Sequence, residues 1–328
     1  MKKWFLTIAV LLIVIGGTVS FLIWEWGKSE FDAEGPLIVT KNVVIPKGIG
    51  TKAIAEKLAD EGVIWDSLIF LAGVRLSETG TMLKAGEYSF PPGVSPRQVM
   101  ETLMKGETVA HRLTIPEGLT SKQIVALINA ADSLQGRIDM IPDEGTLLPE
   151  TYHFDLNEDR NALVARMSKA MTESIDTLWE GRQENLPIQS KEEAVILASI
   201  VERETALASE RPHVAAVFIN RLRQGMKLQS DPTTIYGLSN GMGVLDRSLT
   251  RKDLASTHAY NTYVIDGLPP GPIANPGRES LAAVLNPMNS DDLYFVADGS
   301  GGHAFAKTLP EHNRNVARWR KIERGEKP

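Results

Sequence analysis

Hydrophobic and polar positions follow five different patterns along this chain, and each predicts a different kind of element. From Trp4 to Trp24 the residues are apolar and uncharged. A helix of that length, rising ~1.5 Å per residue, spans a hydrocarbon core. From about residue 38 to 143, short strand-like runs alternate with amphipathic helical ones. From Pro142 to Arg223 the helical patterns lengthen, and from Tyr260 to Gly277 proline and glycine interrupt any regular structure. Leu293 to Ala297 then reads as a strand, Asp298 to Gly302 as its turn and His303 to Phe305 as its return, giving a hairpin.

The apolar stretch follows Lys2 and Lys3, which predicts an N-terminus in the cytoplasm, and Trp4, Trp24 and Trp26 stand where interfacial aromatics belong. A signal peptide is the competing reading, but Thr18-Val19-Ser20 ahead of bulky Phe21 makes a poor cleavage site. The expectation is a cytoplasmic stub and transmembrane helix over 1–27, a short polar tether over 28–37, and the remainder outside the cytoplasmic membrane.

A repeat follows. Ile45-Pro46-Lys47-Gly48 with Thr51, Lys52, Ile54 and Leu58 lines up with Ile115-Pro116-Glu117-Gly118, Ser121, Lys122, Ile124 and Ile128. Pro92-Gly93-Val94-Ser95 with Gln98 and Val99 is a third copy. Each copy predicts a strand, a Pro-x-Gly turn, a Ser/Thr helix start and an amphipathic helix. The first, VVIPKGIGTKAIAEKLADEGVI, resembles the LysM module, a small peptidoglycan-binding fold; a compact structural domain without a sugar site fits the same residues. Expected boundaries are 38–110 for this module, 111–143 for a second small βα module and 144–328 for a larger α+β domain, so the fold class is α+β.

In the last domain, helices are predicted from Glu158 to Trp179, ended by Gly181, and from His213 to Arg223, ending near Gly225. Asp231 before Pro232 reads as an N-cap. The loop from Tyr260 to Gly277 is long enough to imply function, and it carries tyrosines and asparagines, residues that stack on and hydrogen-bond to sugars.

The stretch from Ser190 to Glu210 predicts the central helix. Ala194, Leu197, Ile200, Val201, Leu207 and Ala208 share one arc, and Glu204 falls in its middle. Glu193 follows Ser190 at capping-box spacing. Glu202 projects about 160° from Glu204 and reads either as a solvated flank residue or as an ion-pair partner for Arg203 or Arg211. Burial of Glu204 predicts a raised pKa and hence a general acid near neutral pH. A structural Glu paired with a distant arginine would give the same pattern.

The formal charge of −6 argues against nucleic acid as a partner. Cysteine is absent, so no thiolate chemistry is available. The six histidines are scattered without metal-ligand spacing, and no nucleophile elbow, Walker loop or dinucleotide fingerprint occurs. Neither metal nor cofactor is expected, which leaves carboxylate chemistry.

The strings LASIVERETA, ASERPHVAAVFINRLRQGMKLQSDPTTIYGL, AYNTYVIDGLPPGPIANPG and LYFVADGSGGHAF resemble the YceG/MltG family of membrane-anchored endolytic murein transglycosylases, with no departure in these blocks. The resemblance implies cleavage of the MurNAc–GlcNAc bond within nascent peptidoglycan strands, a 1,6-anhydro end, no cofactor, and association with the wall-elongation machinery. Glu204-Thr205 is similar to the Glu-Ser pair of soluble lytic transglycosylases, which implies that Glu204 is the catalytic acid. Gln229, Thr233, Tyr260, Asn261, Tyr263 and Pro270 are the candidates for holding the strand. Two alternatives stay open: a non-catalytic peptidoglycan-binding scaffold, and a hydrolase using Glu150 or Asp231 as a second carboxyl.

Overall fold

The computed structural model describes residues 2–77 and 83–325, in two compact units, Met1–His111 and Arg112–Pro328. Met1 of the expected stub, 78–82 of the expected first module and 326–328 at the end of the expected third domain lie outside the described residues.

The first unit comprises α1 (Lys2–Asp32), β1 (Lys41–Ile45), α2 (Thr51–Asp60), α3 (Ser67–Leu76), β2 (Gly86–Phe90) and α4 (Pro96–Lys105). β1 and β2 pair antiparallel with Val43 opposite Tyr88. The period-2 alternation of both strands sends Val43, Ile45, Tyr88 and Phe90 inward. Ile54 and Leu58 of α2, Phe70 and Val74 of α3, and Val99 and Leu103 of α4 close the core over them.

The expected tether over 28–37 is helical in its first half, to Asp32. Phe31 is 4% exposed in the same core, and Asp32 pairs with Arg97. Gly73 of α3 lies so close to the Phe31 ring that a Cβ there would clash with it. The polar residues of this stretch hid the one aromatic side chain that docks it.

The division falls at the first residue of β3 (His111–Thr114), and the second unit continues with α5 (Ser121–Asn129), β4 (Leu134–Gln135), β5 (Thr151–Phe154) and β6 (Glu158–Asp159). β3 pairs with β5, and β4 runs parallel to β6. All three Pro-x-Gly turns have left-handed glycines, with φ of 84° at Gly48, 69° at Gly93 and 75° at Gly118, a conformation open to glycine at little cost. Ser95 and Thr120 start their helices with full capping boxes. The first copy differs, because Gly50 occupies its cap position and makes no side-chain bond. The core around α5 crosses the expected boundary at 143, since Leu147, Tyr152, Phe154, Leu163 and Met167 complete it. A helix of nine residues buries too little to stand alone.

The rest of the unit is helical: α6 (Arg160–Glu180), α7 (Lys191–Glu204), α8 (Arg211–Arg223), α9 (Asp231–Leu238), α10 (Arg251–Leu254), α11 (Arg278–Leu285) and α12 (Leu309–Glu323), with the hairpin β7 (Tyr294–Ala297) and β8 (His303–Ala306) before the last. α7 is the axis. Every residue from Ile196 to Glu202 is buried, so the single apolar arc read from the sequence is too narrow; α6, α8, α9 and α11 surround the helix. α7 also stops earlier than expected, at Glu204, because Thr205 turns extended (φ −137°) and its hydroxyl accepts the Leu207 N–H. Leu207 and Ala208 therefore lie beyond the helix. Ser190 caps α7 through the Glu193 N–H, but the Glu193 carboxylate takes the Gln189 N–H in place of the expected Ser190 one.

Candidate active site

Glu204 is the last residue of α7, and the chain turns away immediately after it, leaving its carboxyl between the buried axis of the unit and an open cavity. That cavity, about 380 Å³, is lined by Glu204, Thr205 and Ala206 on one side and by Ala297, the hairpin glycines, His303 and Trp319 on the other. Glu204 is only partly exposed. The Ser230 hydroxyl donates to Glu204 Oε1. No lysine, arginine or histidine pairs with the carboxylate among the described residues. Burial raises its pKa to about 7; the negative charge of Asp231 adds to the rise, while the Ser230 bond and the more distant His303 and Arg221 oppose it.

Ser230 is itself aimed by the turn before α9. Gln229 adopts a left-handed φ of 52°, sparsely populated for a non-glycine residue, and donates its N–H to the Thr262 carbonyl (3.1 Å). The Ser230 N–H donates to Thr262 Oγ1 (2.9 Å), and Thr233 Oγ1 donates to the Ser230 carbonyl (2.7 Å). Asp231 is not the expected N-cap. Ser230 holds that position but makes no side-chain cap, because its hydroxyl is committed to Glu204. Asp231 opens the helix and accepts from the Tyr263 hydroxyl (2.7 Å), whose pKa burial and Asp231 raise.

A second anchor fixes the far wall. Glu210 accepts the His303 backbone N–H (2.8 Å) and pairs with His303 Nδ1 (2.7 Å), and Thr205 Oγ1 donates to it at 3.3 Å. The hairpin is thereby tied to the α7–α8 junction. Burial works against the ionised Glu210, but the bonds from His303 hold its pKa below the usual range.

The residues predicted from sequence divide into three groups. Glu204, Gln229 and Tyr263 converge on the cavity edge or on the turn that builds it. Thr233 and Asn261 are fully buried and satisfied internally: Asn261 donates to the carbonyls of Leu254 and Ser256 and accepts from Thr234. They shape the loop, and no face of either is free to touch a strand. Tyr260 tilts against Tyr236 (4.9 Å between ring centroids), and exposed Pro270 lies on the same loop; neither makes a hydrogen bond or ring contact with the Glu204 group among the described residues. Sequence reasoning passed over Ser230, because its position before Asp-Pro reads as cap chemistry, and over Glu210, which has no periodic signal.

Glu202, two residues from Glu204, belongs to a different structure. Its carboxylate accepts from Arg211 Nη2 (2.9 Å) and from the Gly277 N–H (2.8 Å). Arg211 also binds Glu117 (2.6 Å) and Glu279 (2.7 Å). Of the two arginines read as its partner, the structure selects Arg211; Arg203 instead donates to the carbonyls of Gly118 and Gly243. Among the described residues no group of three or more His, Cys, Asp or Glu side chains is arranged to hold a metal ion.

The YceG-like family model matches residues 43–318, a span that includes the first unit's strand pair and every element around Glu204. An endolytic murein transglycosylase of Bacillus subtilis (strain 168) is 32% identical, over 92% of this chain and 90% of that protein. Another from Streptococcus pneumoniae (serotype 2, strain D39) is 29% identical over 87% of this chain, which spans 59% of that longer protein. A crystal structure of a YceG-like protein from Listeria monocytogenes superposes with a TM-score of 0.51 at 32% identity, over 84% of this chain and 98% of that one. A family model that runs over most of the chain, with one relative matching nearly end to end, places this chain in the YceG-like family.

Proposed function

We propose that the chain is an endolytic murein transglycosylase that cleaves the MurNAc–GlcNAc bond within nascent peptidoglycan strands, with Glu204 as its general acid and then base. One observation carries the reading: Glu204 is a partly exposed carboxyl at the wall of an open cavity, held near pKa 7 with a hydroxyl partner and no cation. A structural acid in such a place would be paired. The names of the relatives support the reaction class.

An ordinary glycosidase uses two carboxyl groups. Here one suffices if the nucleophile belongs to the substrate. Glu204 gives its proton to the glycosidic oxygen as the bond to the MurNAc anomeric carbon breaks. The MurNAc 6-hydroxyl attacks that carbon, favoured by its proximity, and its proton passes to the ionised Glu204. The products are a 1,6-anhydroMurNAc end and a free GlcNAc 4-hydroxyl. No water is consumed and Glu204 ends as it began. Ser230 holds the carboxyl in place through both halves, and Tyr263 and Gln229, at the turn that aims Ser230, are assigned as strand contacts.

Asp231 is near enough to raise the Glu204 pKa, and this favours a second reading, a two-carboxylate hydrolase. Muropeptide mass spectrometry after digestion of purified peptidoglycan distinguishes the two, since hydrolysis adds a water that transglycosylation does not. Anhydromuropeptides from the wild type, and none from Glu204→Gln, are expected. Reducing ends without anhydro sugar would assign the hydrolase, and cleavage by Glu204→Gln would remove the residue from its role.

The helix α1 carries an uncharged apolar stretch from Trp4 to Trp24, long enough to cross a bilayer. We read it as a single-pass anchor with the N-terminus inside and both units on the outer face, which holds the site where strands emerge. The LysM-like resemblance of the first unit extends the proposal to glycan binding there, and termination of strand elongation implies association with the wall-synthesis machinery.

A further inference from the structure

In the first unit, α2 and α4 expose no large apolar side chain, as expected for helices of a water-facing domain. α3 does the opposite. Its sequence, SLIFLAGVRL, has one charge, and Leu68 and Leu76 are 71% and 61% exposed, with Trp65 just ahead of it at 71%. Exposed apolar side chains gathered on one element mark a surface meant to be covered.

The position of α3 along α1 says what covers it. Leu68, Ile69 and Leu76 line one void of about 500 Å³ together with Ile23, Trp24 and Trp26, so α3 reaches back along α1 to the level of its tryptophans. The walls of that void are largely hydrocarbon, and Lys28 and Arg97 lie at its edge. α1 is continuous from the span to Asp32 and is fixed to the unit by Phe31 and the Asp32–Arg97 pair. At ~1.5 Å per residue, only ~10 Å separates Trp24 from Phe31, about 4 Å beyond the ~6 Å depth of one headgroup layer. A rigid helix this short cannot lift α3 clear of the bilayer surface.

We propose that the α3 face of the first unit is seated in the membrane interface, with lipid filling the groove between α3 and α1 and Leu68 and Leu76 immersed beside Trp24. This rests on the reading of α1 as a membrane anchor. The unit then has a fixed membrane side, and its strand pair and α2 are oriented relative to the bilayer.

The absence of cysteine makes the test direct. Spin labels are placed on the full chain at Leu68→Cys, Leu76→Cys, Ile13→Cys in the span and Glu56→Cys on α2, one per protein, in nanodiscs of phosphatidylethanolamine and phosphatidylglycerol. The ratio of collision rates with oxygen and with a water-soluble nickel chelate is then read for each. The expected result is several-fold higher oxygen preference at Leu68→Cys and Leu76→Cys than at Glu56→Cys, with Ile13→Cys highest. Equal, water-like values at Leu68→Cys, Leu76→Cys and Glu56→Cys with Ile13→Cys immersed would overturn the seating while keeping the anchor. Water-like values at all four positions would overturn the anchor itself. Spin–spin coupling at Leu68→Cys in discs holding two chains, without lipid exposure, would assign the groove to a second copy and overturn lipid as its occupant.

Discussion

The two neighbours of Glu204 act on its proton in opposite directions, and this makes the acid testable without removing it. The Ser230 hydroxyl stabilises the ionised carboxylate and pulls the pKa down, whereas the Asp231 charge disfavours it and pushes the pKa up. A general acid works when protonated, so kcat/KM should be level below the Glu204 pKa of about 7 and fall about tenfold per pH unit above it. Ser230→Ala removes the stabilising bond, so the alkaline limb should move to higher pH. Asp231→Asn removes the opposing charge, so the limb should move to lower pH while the plateau stays within a few fold of wild type. Rates measured from pH 5 to 9 on the same glycan substrate check both. A plateau lowered by ~10²-fold or more in Asp231→Asn would instead mark Asp231 as a catalytic carboxyl. At this scale the sequence was legible where burial alone decides, at Glu204. It was misleading where a side chain is diverted to a distant partner: Ser230 and Asp231 carry ordinary cap chemistry, and only the fold shows that Glu204 and Tyr263 claim them.

Among the elements, α7 joins two networks that its sequence presents as one run of charges, Glu202-Arg203-Glu204. Glu202 points into the Arg211 cluster, where burial raises its pKa against the Gly277 N–H and the Arg211 charge. Arg211 gathers carboxylates from three other places in the unit, Glu117 in a Pro-x-Gly turn, Glu202 in α7 and Glu279 in α11. Replacing it with a neutral side chain leaves the buried Glu202 without its cation. Loss of one partner from a buried pair costs about 3–5 kcal/mol, so Arg211→Met should lower the unfolding midpoint of the full chain strongly at pH 8. The loss should shrink toward pH 5, where a carboxyl of raised pKa takes up a proton and no longer needs the charge. A midpoint unchanged at pH 8 would show that the cluster is solvated and contributes little. The wheel placed Glu202 and Glu204 on different faces correctly, but it extended the helix to Ala208. Hydrophobic spacing has no marker for the point at which a β-branched residue such as Thr205 bonds locally and ends a helix.

For the molecule as a whole, the decisive difference between sequence and structure lies at residues 28–37. Composition there reads as a flexible linker, which would leave the first unit free to move relative to α1. The structure carries α1 through Asp32 and docks it, because one residue in ten, Phe31, is packed between α3 and α4, with its ring against Gly73 and the Arg97 guanidinium 5.1 Å above it. Periodicity over a span that is apolar all round cannot reveal which single side chain beyond its end docks into a neighbouring unit. The two descriptions predict opposite behaviour for Phe31→Ala. A tether residue would be silent. A core residue of that size costs about 3–5 kcal/mol when truncated, and its loss should both destabilise the first unit and free α1 from it. Limited proteolysis of the full chain in nanodiscs reads both effects at once: cleavage between Lys28 and Leu37 should be slow in wild type and at least tenfold faster in Phe31→Ala. In Glu204→Gln, altered only in the second unit, it should stay slow. Equal and rapid cleavage in all three would restore the tether and leave the first unit free to move relative to α1.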